Sequence, residues 1–280
     1  MIPDTAYVQF LQTHLPLLGL RWQGFRKVRG QVIKRLKRRL KHLQLHGVEE
    51  YAAYLDTHAA EWRVLDSMCR ISISRFYRDK GVFKIVQEDV LPQLAEAVRA
   101  EPEPVLRCWS AGCASGEEVY TLQLLWQLSL AARYPAVRVQ IVATDIDPHM
   151  LARARQGCYA PGSLKELPPQ WVEAGFEQRG ASYVIREAFR AGISFIAQDI
   201  RQELPAGFFH VVLCRNLVCT YFALPVQRRV LAGIAARLVP GGFLLLGTHE
   251  QLPPGSPDFV PYAGQQGLFR KVATAGVTRG

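Results

Sequence analysis

Apolar and polar positions along the 280-residue chain change rhythm about a third of the way in. Up to residue 83 the apolar residues recur at three- and four-residue intervals, the spacing of helices that bury one face. The pattern predicts a helix ending near residue 18, a second over a run of lysines and arginines, a third over 48–57 and a fourth over 60–70. Another helix over 83–98 leads into Glu101-Pro102-Glu103-Pro104, where the prolines break it. Beyond that break, short apolar runs at 106–109, 139–144, 193–197, 210–214 and 243–247 alternate with helical stretches, the signature of a parallel sheet. Between 157 and 192 the alternation lapses. Pro161-Gly162, Pro168-Pro169, Gly175, Gly180 and Ser182-Tyr183-Val184-Ile185 predict short antiparallel strands there. A last strand over 267–272 is expected to hairpin onto its predecessor across the Pro-rich 252–261 segment. The expected organisation is an N-terminal helical domain with a linker (1–82) and an α/β domain (83–280) carrying an inserted small β-subdomain (158–192).

Composition narrows the class. The chain is 49% hydrophobic, enough for one full α/β domain and a smaller one. No apolar run approaches the roughly 20 residues of a membrane span. The start, Met1-Ile2-Pro3-Asp4-Thr5, lacks the basic-then-apolar layout of a signal peptide, so a cytoplasmic protein is expected. The cysteines at 69, 108, 113, 158, 214 and 219 are scattered, and several sit in apolar runs, which reads as buried free thiols in a reducing compartment. His14, His46, His58, His149, His210 and His249 show no metal-ligand spacing, and no metal site is expected.

Charge changes the picture in one segment. The net charge is +10, and Arg26, Lys27, Arg29, Lys34, Arg35, Lys37, Arg38, Arg39 and Lys41 follow one another with no acid between them. Val28, Val32, Leu36 and Leu40 recur every fourth position and form an apolar stripe along the same helix. A solvated face needs fewer cations. The excess suits an acidic helix, an acidic protein surface or a phosphate backbone. Aromatic residues for base stacking are missing from the run, which favours an acidic protein partner over nucleic acid.

The candidate chemistry centres on Trp109-Ser110-Ala111-Gly112-Cys113-Ala114-Ser115-Gly116-Glu117-Glu118. It follows a predicted strand and opens a predicted helix, the nucleotide-binding corner of a doubly wound sheet. A pyrophosphate there would need bare N–H groups and positive charge, and Glu117 and Glu118 would repel it. A cationic adenosine ligand carrying an ammonium group, S-adenosylmethionine, fits instead. Asp145 ends the second strand a little under thirty residues beyond the glycines, where an acid commonly accepts both ribose hydroxyls. Asp147 is better placed than Asp145 to cap the helix beginning at Pro148. Gly112 and Gly116 let backbone approach a ligand or let the helix sit close to the sheet.

Several segments in order resemble the CheR-type chemotaxis receptor methyltransferases. They are the basic helix, Ser72-Ile73-Ser74-Arg75-Phe76-Tyr77-Arg78-Asp79, the 112–118 loop, Ala143-Thr144-Asp145-Ile146-Asp147, Ala152-Arg153-Ala154-Arg155-Gln156-Gly157-Cys158-Tyr159, Cys214-Arg215-Asn216-Leu217 and Pro240-Gly241-Gly242-Phe243. The resemblance implies a Rossmann-like class I methyltransferase sheet and transfer of a methyl group from S-adenosylmethionine to glutamate side chains on receptor helices, leaving S-adenosylhomocysteine. It implies contact of Glu118 with the cofactor's amino-acid end, with Glu117 stabilising the helix dipole. Asp199-Ile200 stands where the family has Asn-Leu beside the adenine; Asp199 as a loop or cap residue is nearly as good a reading. Cys214, Arg215 and Asn216 end the fourth strand at the sheet's ligand edge. Ser72, Ser74 and Arg78 stand where the family has Asn, Thr and Arg. They would reach the cofactor's carboxylate and the incoming substrate, Arg78 by bidentate pairing with the target glutamate.

Two departures fall on the acceptor side. Ser72 replaces Asn, and the segment between Asn216 and the family's methyl-facing tyrosine is one residue longer, so Thr220 is the direct match and Tyr221 the chemical one. A loop absorbs such an insertion, whereas a helix would turn the side chain by about 100°. Tyr221 is the preferred candidate. Glutamate is already ionised near neutral pH, with an ordinary pKa of about 4.3, so no general base is required. The expected partner is an acidic protein segment, such as a receptor cytoplasmic helix, engaged through 26–41 by a monomer that does not insert into a membrane. The alternatives are another acceptor (a peptide, a small metabolite or RNA) and a non-catalytic cofactor-binding sensor.

Overall fold

The computed structural model describes residues 4–272, which form two compact units, 4–71 with 217–227 and 72–216 with 228–272. Residues 1–3, part of the N-terminal segment read above, lie outside the described residues. Among the described residues, no helix is long and apolar enough to cross a membrane.

The first unit is helical: α1 (Asp4–His14), α2 (Trp22–Phe25), α3 (Arg29–Leu43), α4 (Val48–Thr57) and α5 (Glu61–Met68). Helix α3 buries Val32, Ile33, Leu36 and Leu40; the apolar stripe is wider than four-residue spacing alone suggests because Ile33 joins it. The basic run does have counter-charges, supplied by other helices. Arg39 forks onto Glu61 of α5 at 2.8 and 2.5 Å, and Lys37 reaches Asp4 of α1 at 3.3 Å. Glu61 is 4% exposed and also accepts from the Tyr51 hydroxyl at 2.7 Å. Burial pushes its carboxyl up, but the Arg39 and Tyr51 hydrogen bonds outweigh that and hold it below its ordinary value. Arg35 donates to the Met68 and Arg70 carbonyls. Arg26, Lys27, Lys34, Arg38 and Lys41 stay exposed.

The second unit is an α/β sandwich. Its main sheet holds β1 (Val105–Ala111), β2 (Arg138–Asp145), β6 (Ile193–Ala197), β7 (Phe209–Leu213), β8 (Leu238–Leu245), β9 (Phe259–Pro261) and β10 (Leu268–Lys271), in the order β6-β2-β1-β7-β8-β10-β9. The first five run parallel, and β10 is antiparallel to β8 and β9. Helices α6 (Lys80–Ile85), α7 (Leu91–Arg99), α8 (Glu117–Leu125) and α9 (Pro148–Gln156) belong to this unit. A small second sheet, β3-β5-β4, joins β3 (Cys158–Tyr159), β4 (Phe176–Arg179) and β5 (Ser182–Ile185) around α10 (Pro169–Gly175). Helix α11 (Val218–Tyr221) lies in the first unit, and α12 (Leu224–Arg237) begins there and ends in the second.

Two differences from the sequence pattern have local causes. Strand β8 begins at Leu238, ahead of Pro240-Gly241-Gly242, because an irregularity in its pairing with β7 absorbs those residues. The predicted pairing of the last strand holds, with Leu268 opposite Leu245 and Arg270 opposite Phe243. The Pro-rich segment adds β9 on the outside. Its Pro261, lacking an N–H, sits at the sheet's edge, the position such a residue tolerates.

Strand order reverses at β1: the chain moves from β1 to β2 and β6 on one side, then returns to β7 on the other. In open α/β sheets ligands bind at that switch point, outside the carboxyl ends of the strands. Ala111, Asp145, Leu213 and Leu245 end their strands there.

Candidate active site

The turn from β1 into α8 is built by left-handed backbone: Gly112 has φ +77°, Ala114 +47° and Gly116 +88°. A Cβ on Gly116 would stand 3.0 Å from the Ala154 methyl. Four of the turn's N–H groups are spent internally. Gly112 and Cys113 donate to the Thr144 carbonyl, Ala114 donates to Asp145 Oδ2 at 2.8 Å, and Gly116 donates to the Cys113 carbonyl. A phosphate cradle needs such donors bare. This turn offers carboxylate oxygens in their place.

The two glutamates opening α8 diverge. Glu117 is 2% exposed and accepts from the Ser115 hydroxyl at 2.9 and 3.0 Å. Glu118 is 14% exposed; Oε1 accepts from Ser110 Oγ at 2.8 Å and Oε2 from Arg215 Nη1 at 3.1 Å. Asp145 is held by two backbone donors, Ala114 N–H and Asp147 N–H, and Asp147 caps α9 by accepting from His149 N–H. Burial pushes the Cys113 thiol well above its ordinary value, and the charges of Asp145 and Glu118 push it further. The turn is flanked by carboxylate acceptors, which fit a ligand bearing an ammonium group and ribose hydroxyls: S-adenosylmethionine matches this acceptor set, and the pyrophosphate of a dinucleotide does not.

Arg215 organises the adjoining wall. Its side chain is 4% exposed, sits 5.1 Å from the Phe83 ring centre, and divides its guanidinium between two carboxylates, Glu118 and, at 2.6 Å, Asp79. It also donates to the Arg78 carbonyl at 2.8 Å. Its Nε is buried without a protein partner. Arg78 donates to the Ile73 carbonyl at 3.1 Å and lies 3.5 Å from Asn216 Oδ1. The segment carrying it is pinned from below: Phe76 is fully buried, edge-on to Tyr159 and Phe176, and Tyr77 N–H donates to Thr121 Oγ1. Tyr77, Asp79 and Asn216 all have positive φ. Together with Ala114, these left-handed non-glycine residues gather around one site, where backbone strain tends to mark function.

The structure therefore links Arg78, Glu118, Arg215 and Asn216 through direct contacts, and ties Asp145 to the glycine turn beside them. Gly112 belongs to that turn. Cys214 is buried, and its N–H donates to the Leu245 carbonyl. Ser74 is half-buried and Ser72 exposed on the extended approach to Arg78. Asp199 follows β6, and its carboxylate takes the Arg201 N–H and guanidinium, the pattern of a turn residue; Ile200 beside it is buried. Tyr221 lies in the first unit, its ring 5.0 Å from that of Phe25, and α11 carries both it and Thr220. The irregular Leu217 (φ −132°, ψ −84°) precedes that helical turn.

Three residues carry no role in the sequence reading. Ser110 and Asp79 lie within quoted segments and bond Glu118 and Arg215. The third, Glu250, is 7% exposed and accepts from the N–H groups of Asn216 (2.6 Å) and Gly247 (2.7 Å). Its neighbour His249 is exposed.

Comparison with known proteins agrees with this geometry. The family model for the CheR methyltransferase SAM binding domain matches residues 72–267. A probable chemotaxis protein methyltransferase of Rhizobium etli is 31% identical over 228 residues, 79% of this chain and 84% of that one. A chemotaxis protein methyltransferase of Listeria monocytogenes is 33% identical over 186 residues, 66% and 68% of the two chains. An uncharacterized 104.1 kDa protein of Rhodobacter capsulatus is 32% identical over 232 residues, 82% of this chain but 24% of its own length. The sheet order, the acidic nucleotide corner and these matches agree: the chain belongs to the CheR family of S-adenosylmethionine-dependent methyltransferases.

Proposed function

We propose that the protein methylates glutamate carboxylates of an acidic helical protein segment, such as a chemotaxis receptor's cytoplasmic region, and does so in the cytoplasm as a monomer. The observation that carries the reading is the placement of two carboxylates about the glycine turn, Asp145 at the end of β2 and Glu118 at the start of α8, with Arg215 joining Glu118 to the segment that carries Arg78. S-adenosylmethionine, when bound, supplies an electrophilic methyl on a sulfonium sulfur. Glu118 would accept from its ammonium group and Asp145 from its ribose hydroxyls, with Gly112, Cys214 and Asn216 against its body and Arg215 holding Glu118. Ser72 and Ser74 would take its carboxylate side, and Asp199 and Ile200 the adenine side. Arg78 would pair with the acceptor carboxylate and orient one of its oxygens for methyl transfer. The acceptor oxygen would gain the methyl group as the sulfonium gives it up, leaving a methyl ester and S-adenosylhomocysteine with no proton to move. Opposite charges disperse in that step, so alignment and exclusion of water carry the rate. Tyr221, rather than Thr220, is assigned to the methyl-facing position.

The exposed cations of α3 support an acidic acceptor. Lys34, Arg38 and Lys41 recur at helical spacing along one strip of α3, and Lys27 is exposed in the turn that precedes it. Incubation with methyl-labelled cofactor and the methyl-accepting segment of a chemotaxis receptor tests the whole reading. Base-labile label on the protein is expected, and it should fall steeply in a Lys34→Glu/Arg38→Glu variant that still binds S-adenosylhomocysteine normally. Label that resists base, or labelling indifferent to both charge reversals, would count against a carboxylate acceptor docked on α3.

A further inference from the structure

Glu250 sits where two central strands deliver their ends to the site. Its Oε2 accepts from Asn216 N–H, just past β7, and from Gly247 N–H, just past β8. The Glu250 N–H returns a hydrogen bond to the Gly247 carbonyl at 2.8 Å, so the turn closes on itself. Gly247 and Asn216 fit each other closely: a Cβ on Gly247 would lie 2.9 Å from Asn216 Oδ1. Asn216 holds φ +54°, a conformation that a non-glycine residue adopts at a cost unless its surroundings impose it. A buried carboxylate on its N–H imposes it. Asn216 in turn presents Oδ1 to the Arg78 guanidinium.

We infer that Glu250 is the positioning residue of this site: one carboxylate oxygen clamps the β7 and β8 ends, holds Asn216 left-handed, and so sets where Asn216 and Arg78 stand. The role assigned to Glu250 is exerted through Asn216 and Arg78 rather than by contact with cofactor or acceptor. The inference rests on the reading of Asn216 and Arg78 as site residues. The role assigned to the carboxylate is acceptance of two N–H bonds, which an amide oxygen can also fill.

Isothermal titration of the full chain with S-adenosylhomocysteine tests this, with thermal unfolding as a check on folding. Glu250→Ala should weaken binding about tenfold or more, since two buried donors and the Asn216 turn lose their tether. Glu250→Gln keeps an amide oxygen at the same reach and should stay within about threefold of wild type. Glu250→Asp keeps the charge but is too short to reach both donors, so it should resemble Glu250→Ala; it also serves if the alanine variant does not fold. Wild-type affinity in Glu250→Ala or Glu250→Asp overturns the proposal. So does a Glu250→Gln variant as weak as the alanine one, because charge would then be the requirement. Asp145→Ala separates the two readings. If it binds like wild type, the cofactor-site reading fails; if it alone loses binding, only the role of Glu250 fails.

Discussion

Replacing Glu118 by glutamine removes one charge and almost no volume, and its effect can be worked from the contacts. In Glu118→Gln the new side chain still accepts from Arg215 Nη1 with its carbonyl and meets Ser110 Oγ with its amide, replacing the contacts at 3.1 and 2.8 Å. Arg215 also keeps Asp79 at 2.6 Å, so the buried cation is not orphaned. The cost to folding should therefore stay near about 1 kcal/mol, the usual worth of one hydrogen bond. The cost to binding should be larger. A hydrogen bond between ions is worth about 1.5–3 kcal/mol, which is about 10- to 150-fold in Kd. Glu118 is only 14% exposed, so solvent screens little of this. Titration with S-adenosylhomocysteine measures the loss, and adenosine is the control. Adenosine has no ammonium group, so its affinity should not change in Glu118→Gln. Equal weakening of both ligands, or an S-adenosylhomocysteine Kd within about twofold of wild type, would refute the assignment of Glu118 to the amino-acid end.

Other outcomes follow from the same contacts. Arg39→Leu strands the buried Glu61 carboxylate and should cost about 3–5 kcal/mol in urea unfolding, with Arg39→Leu/Glu61→Leu recovering most of it; a loss below about 1 kcal/mol would mean the pair is solvated. Acid should destabilise the protein in two steps. Burial lowers the pKa of His210 from its ordinary 6.5, and His210 accepts the Arg107 N–H on Nδ1, so its contribution is present above that value and is lost as pH falls below it. Glu61, held below its ordinary value, gives way at lower pH. Unfolding curves at successive pH values should show the first step vanish in His210→Gln. Gly116→Ala should cost about 1–2 kcal/mol from its left-handed φ alone, more with the Ala154 contact, and thermal unfolding no worse than wild type would contradict the turn geometry.

Much of the fold is legible in the chain because apolar runs and turn residues act locally. Buried strands such as 210–214 and the helix over 48–57 carry their own period. What the sequence hides depends on partners far along the chain. The basic run looks unopposed because Glu61 and Asp4 lie on other helices. Ile33 looks peripheral until α3 packs. Strand β9 lies in a segment whose prolines suggest only loop. At the site, Glu118, Asp145 and Arg215-Asn216 are legible because motif and topology place them together. Asp79 meets Arg215 across more than a hundred residues, and Glu250 works through backbone donors, which have no side-chain signature. Asp199 is ambiguous in the chain: a motif position suggests a ligand role and a turn position a local one, and its carboxylate takes the Arg201 N–H and guanidinium.

The left-handed residues around the site bear on how this protein can be stabilised. Replacing Asn216 or Asp79 by glycine would relieve a conformational cost of about 1 kcal/mol or more each, and a search for thermostable variants would find such changes attractive. The same changes remove the side chain that faces Arg78 or the carboxylate that holds Arg215. Thermostability gained at these positions would be taken from the catalytic site. Engineering for a hotter working range is better directed at the exposed face of α3's neighbours and the outer loops, leaving the strained corner as evolution left it.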